Sequence, residues 1–599
     1  MNFKPVFSFA AILVATAAFG QPHFSRAEQL QAYQWRADSL IRHYAHATPA
    51  HHLTRGAYME IAARLHRHEN LPWVLARLNA LMQEPSGDMF WMYRFITVTY
   101  AGQRHLPPEY RQRMRELWRT YHPYRGDTEN HWVMYYTALY LITQMYPGEP
   151  GERWFNRRSS QENFQEARAY LLHWMDLTTT IGQGEYDSPE YLGVFLAPMA
   201  QLYAWAEDPA IKQRAAMMLD WIIADFAVEN LNGIYAGAHS RTNSRQVKEQ
   251  WRANSSALAW LLWGNTHFFA SSEALTLAMS GYQPAEIIHH LGVDRATPYV
   301  HKERKRTRAR IRFSEVENAP VYKYIYMRKE YALGSCPGGL LQPIQQHTWD
   351  LTWAVADPRG KHNTLFTIHP YSSRFELGMY FAEQLGPITE LVVRAKPEYD
   401  SGDKWTGGSP YEQVFQHEDA LITLFDIPPG TRFSQISAFF SKDLTHREQD
   451  ASGWIFARGG EALMAYYPLA KYEWQKDEAE DWRLLSKNLK NGAVVQIAPA
   501  IEYKSFAAFK AAVKALPLAA ATKPRPHVRF TTLRGALMEF VFDETPKVNH
   551  LPVDYSDWKL FDGPYMYSEI NSCKLELRHG KLRRLLDFNT LTVTDWIAE

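Results

Sequence analysis

The sequence has 599 residues, too many for one ordinary hydrophobic core, so two or more domains are expected. Hydrophobic residues make up 46% and charged residues 22%, which is a globular composition. The formal net charge of +1 offers no large basic excess to neutralise phosphates, which argues against nucleic acid as a partner.

Residues 1–20 have the pattern of a cleaved signal peptide. Lys4 supplies the positive charge, Val6 to Phe19 is largely apolar, and Ala17 to Gly20 offers small residues for cleavage. The apolar run is shorter than the roughly 20 residues that a spanning helix needs. No cysteine follows the cleavage site and no later run approaches a spanning length, so no membrane anchor is predicted. The protein is therefore predicted to be periplasmic or secreted.

Residues 21–300 are predicted to form an (α/α) toroid, closed or incomplete. Apolar residues recur at a spacing of three to four, and Asp208-Pro209 has the pattern of a helix start. Many helices joined by short turns bury their apolar faces most simply as antiparallel hairpins laid side by side. The predicted helices are Leu30 to Ala45, Ala57 to His66, Leu71 to Met82, Met89 to Tyr100, Tyr110 to Tyr121, His131 to Met145, Asn163 to Thr180, Tyr191 to Ala206, Ala210 to Val228 and Ser255 to Ala270.

Residues 301–599 are predicted to form an antiparallel β-sheet or sandwich domain, interrupted by a helix from Ser505 to Ala515. The basic segment from His301 to Arg312 is either a solvated linker with the first strand, or a basic lip that attracts an anionic polymer. Only two cysteines occur, Cys336 and Cys573, and the sequence does not show whether they meet. Without a CxxC pair, a thiolate zinc site is not expected.

Several motifs of common enzymes are absent from the sequence. No P-loop, HExxH, GxSxG or strand-linked GxGxxG pattern occurs. ATP hydrolysis, zincin proteolysis, α/β-hydrolase chemistry and nicotinamide redox chemistry therefore lose their usual support.

Three polar clusters interrupt the helical half, and each has a functional and a structural interpretation. Asn130-His131 begins a helix that Asp127 or Thr128 could cap, and the pair could donate hydrogen bonds to a sugar carboxylate. Structurally, the same residues would be a cap and a buried histidine. Trp132 follows the pair and is predicted to contact the substrate.

The second cluster runs from Glu185 to Tyr191, between two helices. Ser188 or Asp187 can cap the next helix, which puts Tyr191 in its first turn. A phenol needs nearby positive charge to act as a base, because its ordinary pKa is about 10. Glu185 and Tyr186 are predicted to bind substrate, and Tyr191 is either an acid and base or an ordinary packing residue.

The third cluster is His239 and Arg241, and His347 joins it from the β domain. Arginine is a natural bidentate partner for a carboxylate or sulfate group. His239 and His347 are candidate bases, or histidines that only bond a loop or a sheet edge. A sheet packed on the mouth of a toroid could bring His347 into the cleft.

With these motifs the sequence resembles the polysaccharide lyases built from an (α/α) toroid and an antiparallel β-sandwich, the heparinase II/III group and the exo-acting oligoalginate lyases. The resemblance rests on Asn130-His131, on E-x-x-S-P-x-Y from Glu185 to Tyr191, and on H-T-W-D-L-T-W from His347 to Trp353. It implies β-elimination of a uronic-acid-containing polysaccharide without a cofactor or metal.

Such a reaction removes the C5 proton of the uronate and breaks the C4–O bond. The resemblance implies that Asn130 and His131 neutralise the carboxylate with help from Arg241. Tyr191 would be the acid, or acid and base together, and His239 or His347 would be the base when the two groups lie on opposite faces of the sugar.

Three other functions remain open on the sequence alone. A toroid glycoside hydrolase would use two carboxylates from among Asp127, Glu129, Glu185, Asp187 and Glu190. A uronate C5-epimerase would abstract the same proton without cleaving the chain, and a non-catalytic glycan-binding protein would release no product.

Overall fold

The computed structural model describes residues 25–47, 56–307 except 84, 86 and 127, 318–337, 346–371 and 397–599, with positions 391, 394 and 395. The predicted signal peptide, Asp127 and positions 308–312 of the basic segment lie outside these residues. None of the described helices is long and apolar enough to cross a membrane.

The first half of the described chain is mainly helical. A short ladder of β1 (Asn230–Leu231) and β2 (Ile234–Tyr235) interrupts it. The helices are α1 (Arg26–Ala45), α2 (Ala57–Arg67), α3 (Leu71–Gln83), α4 (Met89–Gly102), α5 (Pro108–Thr120), α6 (Glu129–Met145), α7 (Ser160–Ile181), α8 (Leu192–Trp205), α9 (Pro209–Val228), α10 (Ser244–Lys248), α11 (Asn254–Trp263), α12 (Ser272–Met279) and α13 (Glu286–Val293).

Five of the described helices form a closed ring. Helices α2, α4, α6, α8 and α12 each contact the next, and α12 contacts α2 again. Helices α1, α7, α9 and α13 pack against ring helices or against one another. Every residue of α8 from Leu192 to Leu202 is buried, as expected for a helix that is apolar all round and covered on all sides.

The described part of the second half forms three antiparallel sheets. Across the thirteen-stranded sheet the order is β14 (Glu473–Lys476), β15 (Trp482–Ser486), β10 (Ile436–Phe440), β7 (Thr364–Ile368), β6 (Trp349–Trp353), β5 (Tyr331–Ser335), β4 (Pro320–Met327), β3 (Tyr299–Arg306), β22 (Phe561–Asp562), β23 (Met566–Ser568), β24 (Lys574–His579), β25 (Leu582–Asp587) and β26 (Thr592–Ile597). The six-stranded sheet is β11 (His446–Gln449), β12 (Ile455–Gly459), β13 (Ala462–Pro468), β16 (Lys490–Pro499), β9 (Ala420–Asp426) and β8 (Glu412–His417). The five-stranded sheet is β17 (Leu518–Ala521), β18 (His527–Thr531), β19 (Leu537–Val541), β20 (Lys547–Val548) and β21 (Leu551–Pro552).

The sheets are stacked, with a separate core between each pair of layers. Trp349 of the large sheet and Met464 of the six-stranded sheet belong to one buried cluster. The other face of the six-stranded sheet packs on the five-stranded sheet and on helix α14 (Phe506–Lys514). The last strands of the large sheet instead cover the helices, where Trp221 of α9 contacts Phe561 and Phe588.

The predicted order of a helical half followed by an antiparallel β half is confirmed. One detail differs. The helix predicted from Ser255 to Ala270 ends at Trp263, because Gly264 adopts the left-handed conformation (φ 69°) that terminates many helices. The sequence left open whether Cys336 and Cys573 meet, and the structure shows both as free thiols.

The described part of the basic segment forms a first strand, as one of the two interpretations predicted, but two of its cations are buried instead of solvated. His301 to Arg306 lie in β3, the first strand of the large sheet. Lys305 and Arg306 are buried, and each pairs with a carboxylate of the helical half, Asp225 and Glu129 respectively. These cations therefore join the two halves instead of facing solvent.

Candidate active site

The ring helices α4, α6, α8 and α12 all begin at the same end of the ring. Phe90, at the start of α4, contacts the ring of His131, at the start of α6, with centroids 5.7 Å apart. The Tyr93 hydroxyl donates to Glu273, at the start of α12, at 2.6 Å. A side chain at Gly193, in the first turn of α8, would meet Glu273. The positive ends of four helix dipoles therefore converge here, an arrangement that favours anions.

The Glu185 carboxylate caps helix α6 from a distant loop. Its Oε2 accepts hydrogen bonds from the Asn130 backbone N–H at 2.9 Å and from Asn130 Nδ2 at 2.5 Å. Asn130 Nδ2 also donates to Thr128 Oγ1 at 2.9 Å, which fixes the amide. Thr128 occupies the N-cap position as one of the two predicted caps, but its side chain accepts no capping hydrogen bond. Glu185 supplies the acceptor instead.

Arg241 connects this pair to Tyr191. Its Nε lies 3.5 Å from Glu185 Oε1, and its Nη2 donates to the Tyr191 hydroxyl oxygen at 3.1 Å. The guanidinium carbon lies 5.0 Å from the centroid of the Tyr191 ring. Positive charge is thus placed at the phenol oxygen, which is the condition that tyrosine needs for proton transfer.

Ser188 holds Tyr191 and Arg241 together from the backbone side. Its Oγ accepts a hydrogen bond from the Tyr191 N–H at 3.1 Å and donates to the Arg241 carbonyl at 2.9 Å. The prediction that Ser188 or Asp187 caps this helix is wrong: α8 begins at Leu192, Tyr191 occupies its N-cap position, and Ser188 bonds the turn before it. The phenol is therefore oriented at both ends, by Ser188 at the main chain and by Arg241 at the hydroxyl.

His131 and Trp132 are half-buried beside this chain of contacts. Gly126 adopts a positive φ of 80°, and a Cβ there would lie 2.4 Å from His131 Nδ1. The Gly126 carbonyl accepts a hydrogen bond from Trp132 Nε1 at 2.8 Å. The loop before α6 therefore packs directly on both side chains and fixes their orientation.

Tyr186 is fully buried, which contradicts the prediction that it contacts a substrate. Its hydroxyl lies 3.7 Å from Cys336 Sγ, and burial raises its pKa well above the ordinary value. Its carbonyl accepts hydrogen bonds from both the N–H and the Oγ of Ser240. Tyr186 therefore has a packing role between the loop and the β half.

His239 and His347 lie side by side at the junction of the two halves. Their main chains form a β-bridge, with N–H to carbonyl distances of 3.0 and 2.8 Å, and their ring centroids are 6.3 Å apart. Only 3% and 4% of their surfaces are exposed. Burial, with the neighbouring Lys323 and His347, lowers the pKa of His239 well below its ordinary value. The prediction that His347 reaches His239 from the β domain agrees with this bridge. The burial of both histidines, however, argues against a direct role as base.

A buried charge cluster lies behind the Glu185 to Tyr191 loop. It consists of four carboxylates and two lysines, namely Asp187, Asp225, Glu229, Glu303, Lys305 and Lys323. Lys305 Nζ lies 3.2 Å from Asp187 and 3.1 Å from Glu303. Strands β3 and β4 thus hold the loop through its Asp187 carboxylate, four residues before Tyr191.

The same cluster contains a group of carboxylates that could hold a metal ion. The ligand oxygens of Asp187, Glu229 and Glu303 lie within 4.8 Å of one another. The Lys323 ammonium already lies among them, paired with Asp187 and 2.8 and 3.3 Å from Glu229 and Glu303. The cation between these three carboxylates is therefore Lys323 itself. The three carboxylates do not fit a metal ion in addition.

The pKa values of the carboxylates in the buried charge cluster are shifted in opposite directions. Burial raises the pKa of Asp225 well above its ordinary value, and burial with Glu303 nearby does the same for Glu229. Burial acts in this direction on Glu303 too, but Lys305 and Lys323 outweigh it and hold the Glu303 pKa well below its ordinary value. Burial acts to lower the pKa values of Lys305 and Lys323, but the carboxylates around them outweigh it and keep both above the ordinary value.

Replacing Glu185 with glutamine should lower kcat/KM about 10- to 100-fold. The amide can still accept from Asn130, but it removes the negative charge that faces Arg241, so the guanidinium is no longer held against the phenol. Steady-state kinetics with a thermal unfolding control measure this. Unchanged kcat/KM would contradict the positioning role of Glu185.

Comparisons with known proteins were made for the sequence and for the fold. No family model and no curated protein matches the sequence. A heparan sulfate lyase HepC mutant from Pedobacter heparinus is similar with a TM-score of 0.38 and 8% identity, over 89% of this chain and 90% of that chain. A heparinase III gene product is similar with a TM-score of 0.32 and 8% identity, over 86% and 80%. Likenesses this slight do not establish a function.

Proposed function

We propose that this protein is a polysaccharide lyase that cleaves a uronic-acid-containing polysaccharide by β-elimination. The observation that carries the proposal is the hydrogen bond from Arg241 Nη2 to the Tyr191 hydroxyl, 3.1 Å long, at the start of a ring helix. It places a cation on a phenol where four helix N-termini favour an anionic ligand. No metal or cofactor is needed for the chemistry assigned below.

The uronate carboxylate must be neutralised before its C5 proton can leave, because the adjacent negative charge opposes a carbanion. We assign this task to His131, which is half-buried, and to Arg241, whose side chain is 10% exposed. Asn130 was predicted to donate directly to the substrate, but it is fully buried against Glu185. Asn130 and Glu185 therefore position Arg241 and the start of α6.

Tyr191 is assigned both proton transfers. As phenolate, stabilised by Arg241, it takes the C5 proton, and as phenol it gives a proton to the C4 oxygen as the C4–O bond breaks. The carbon–carbon double bond between C4 and C5 forms in the same sequence. One group can do both when proton and leaving oxygen lie on the same face of the sugar. The burial of His239 and His347 favours this single-residue scheme.

The hydrolase alternative requires two carboxylates that face the sugar. Of the five considered, Asp127 lies outside the described residues. The other four are held by donors of the protein itself: Glu129 by Arg306 and Trp174, Glu185 by Asn130, Asp187 by Lys323 and Tyr235, and Glu190 by Gln246. This engagement disfavours a hydrolase.

A substrate screen tests the proposal. The protein is incubated with alginate, glycosaminoglycans, glucuronan and ulvan, and the ultraviolet absorbance of the unsaturated uronate is followed. A rise with one of these polymers is the expected result. Saturated products would indicate a hydrolase, solvent deuterium exchange without cleavage an epimerase, and binding without any product a glycan-binding protein. Export to the periplasm or medium belongs to the same proposal, since such polymers are extracellular.

A further inference from the structure

An exposed cation lies on an aromatic ring directly beside the site. The guanidinium carbon of Arg125 is 4.2 Å from the centroid of the Trp132 ring. Arg125 Nη1 donates to the Tyr136 hydroxyl at 3.2 Å, and that hydroxyl donates to Glu166 at 2.9 Å. Arg125 itself is exposed. These contacts hold the guanidinium in one position at the surface. The side chain therefore loses little conformational entropy when a ligand binds.

The charge of Arg125 has no carboxylate to balance it within salt-bridge distance in the described part of the chain. Other exposed arginines nearby in the sequence differ in this respect. Arg119 pairs with Glu116, and Arg158 pairs with Glu166. An ordered, exposed and uncompensated guanidinium is a ready partner for an external anion.

We propose that Arg125 forms an anion-binding subsite for a sugar residue next to the one that is cleaved, with Trp132 as the support that positions it. This inference rests on the proposed function and adds a specificity residue that the sequence alone did not single out. The subsite is adjacent to the reaction centre because Gly126, the residue after Arg125, packs on His131 and accepts the hydrogen bond from Trp132 Nε1.

The ligand chemistry is a carboxylate or sulfate substituent on that neighbouring sugar. Arginine binds both groups through paired N–H donors, and the contact is charge-assisted in either case. Because the subsite does not touch the bond that breaks, its loss should raise KM and leave kcat nearly unchanged.

The test compares Arg125→Gln with Arg119→Gln, which removes an exposed charge nearby in sequence that already has a carboxylate partner. Each is introduced into the Tyr191→Phe variant, and binding of hexasaccharides from alginate, heparosan and heparan sulfate is measured by calorimetry. Arg125→Gln should weaken binding about ten-fold and reduce its salt dependence, while Arg119→Gln should not. In the otherwise unchanged enzyme, Arg125→Gln should raise KM about ten-fold.

The outcomes separate the two proposals. A loss for the sulfated chain alone assigns a sulfate to the subsite, and a loss for the unsulfated chains as well assigns a carboxylate. Equal affinities of Arg125→Gln and Arg119→Gln for a hexasaccharide that does bind would overturn the subsite and leave the proposed function intact. Failure of all three hexasaccharides to bind, together with no unsaturated product from any polymer of the substrate screen, would overturn both.

Discussion

Tyr191→Phe should lose at least about 1,000-fold in kcat, because it removes the only hydroxyl that we assign to proton transfer. The phenyl ring keeps its position beneath the Arg241 guanidinium, and the Ser188 bond to the main chain is unaffected. The unfolding temperature should therefore stay within a few degrees of the parent value. Initial rates from the absorbance of the unsaturated product, together with a thermal melt, measure both quantities.

Tyr186→Phe is the matched control for this variant. It removes a hydroxyl from the same loop, but one that is buried and touches only Cys336 among the hydrogen-bonding side chains described. Its turnover should remain within about two-fold of the parent, since no step of the chemistry uses that hydroxyl. Wild-type turnover by Tyr191→Phe, or an equal loss by both variants, would show that Tyr191 is not the acid and base.

Lys323→Met should lower the free energy of unfolding by about 3–5 kcal/mol at neutral pH, because it removes one of the two lysines that balance four buried carboxylates. Lys323 Nζ contacts three carboxylates, those of Asp187, Glu229 and Glu303. Denaturant unfolding followed by tryptophan fluorescence measures the change. Activity should fall too, since Asp187, at the base of the loop that carries Tyr191, loses one of its two lysine partners.

The pH dependence of this loss has a definite sign. Folding already raises the pKa of Asp225 and Glu229, so each favours folding below its ordinary pKa of about 4, and that contribution is lost as pH rises through the raised value. Without Lys323 we expect the pKa of Glu303 to rise as well. The difference between variant and parent should therefore shrink as pH falls from 7 towards about 5.

Lys302→Met is the control, at a position of β3 that pairs with Tyr324, the residue after Lys323 on β4. Its side chain is 37% exposed and lies 3.7 Å from Asp562, so its removal should cost less than about 1 kcal/mol at any pH. Equal destabilisation by the two variants would contradict the role given to the buried charge cluster.

The helical half was predictable because its helices bury apolar residues at regular spacing and end at Gly, Pro and Asp signals. Asp208 caps α9 and Pro209 opens it, as expected. The strands of the large sheet were harder to predict, since several are short. Some neighbouring strands of this sheet are also far apart in the sequence, as β3 and β22 are. Strands β22 and β23, for example, have only two and three residues.

Site residues were predictable where the chain marks them with turns, as at Ser188 and Tyr191. The roles of Glu185 and Lys323 were not predictable, because their partners are distant in sequence. Asn130 lies 55 positions from Glu185, and Glu229 lies 94 positions from Lys323. In the alternating pattern of β4, Lys323 shares a face with Val321 and Ile325. This apolar pattern does not indicate that carboxylates surround Lys323 in the fold.

The five last strands of the large sheet have a consequence for how this chain is made. Strand β3 pairs on one side with β4 and on the other with β22, and Trp221 is covered by Phe561 and Phe588. Because synthesis runs from the N terminus to the C terminus, residue 588 must be made before Trp221 can be fully covered. Until then β3 has an open edge and the helices lack part of their cover. The fold can therefore be completed only after the last strands have been synthesised. A chain interrupted before β22 would expose apolar surface and an unpaired strand edge to chaperones and proteases.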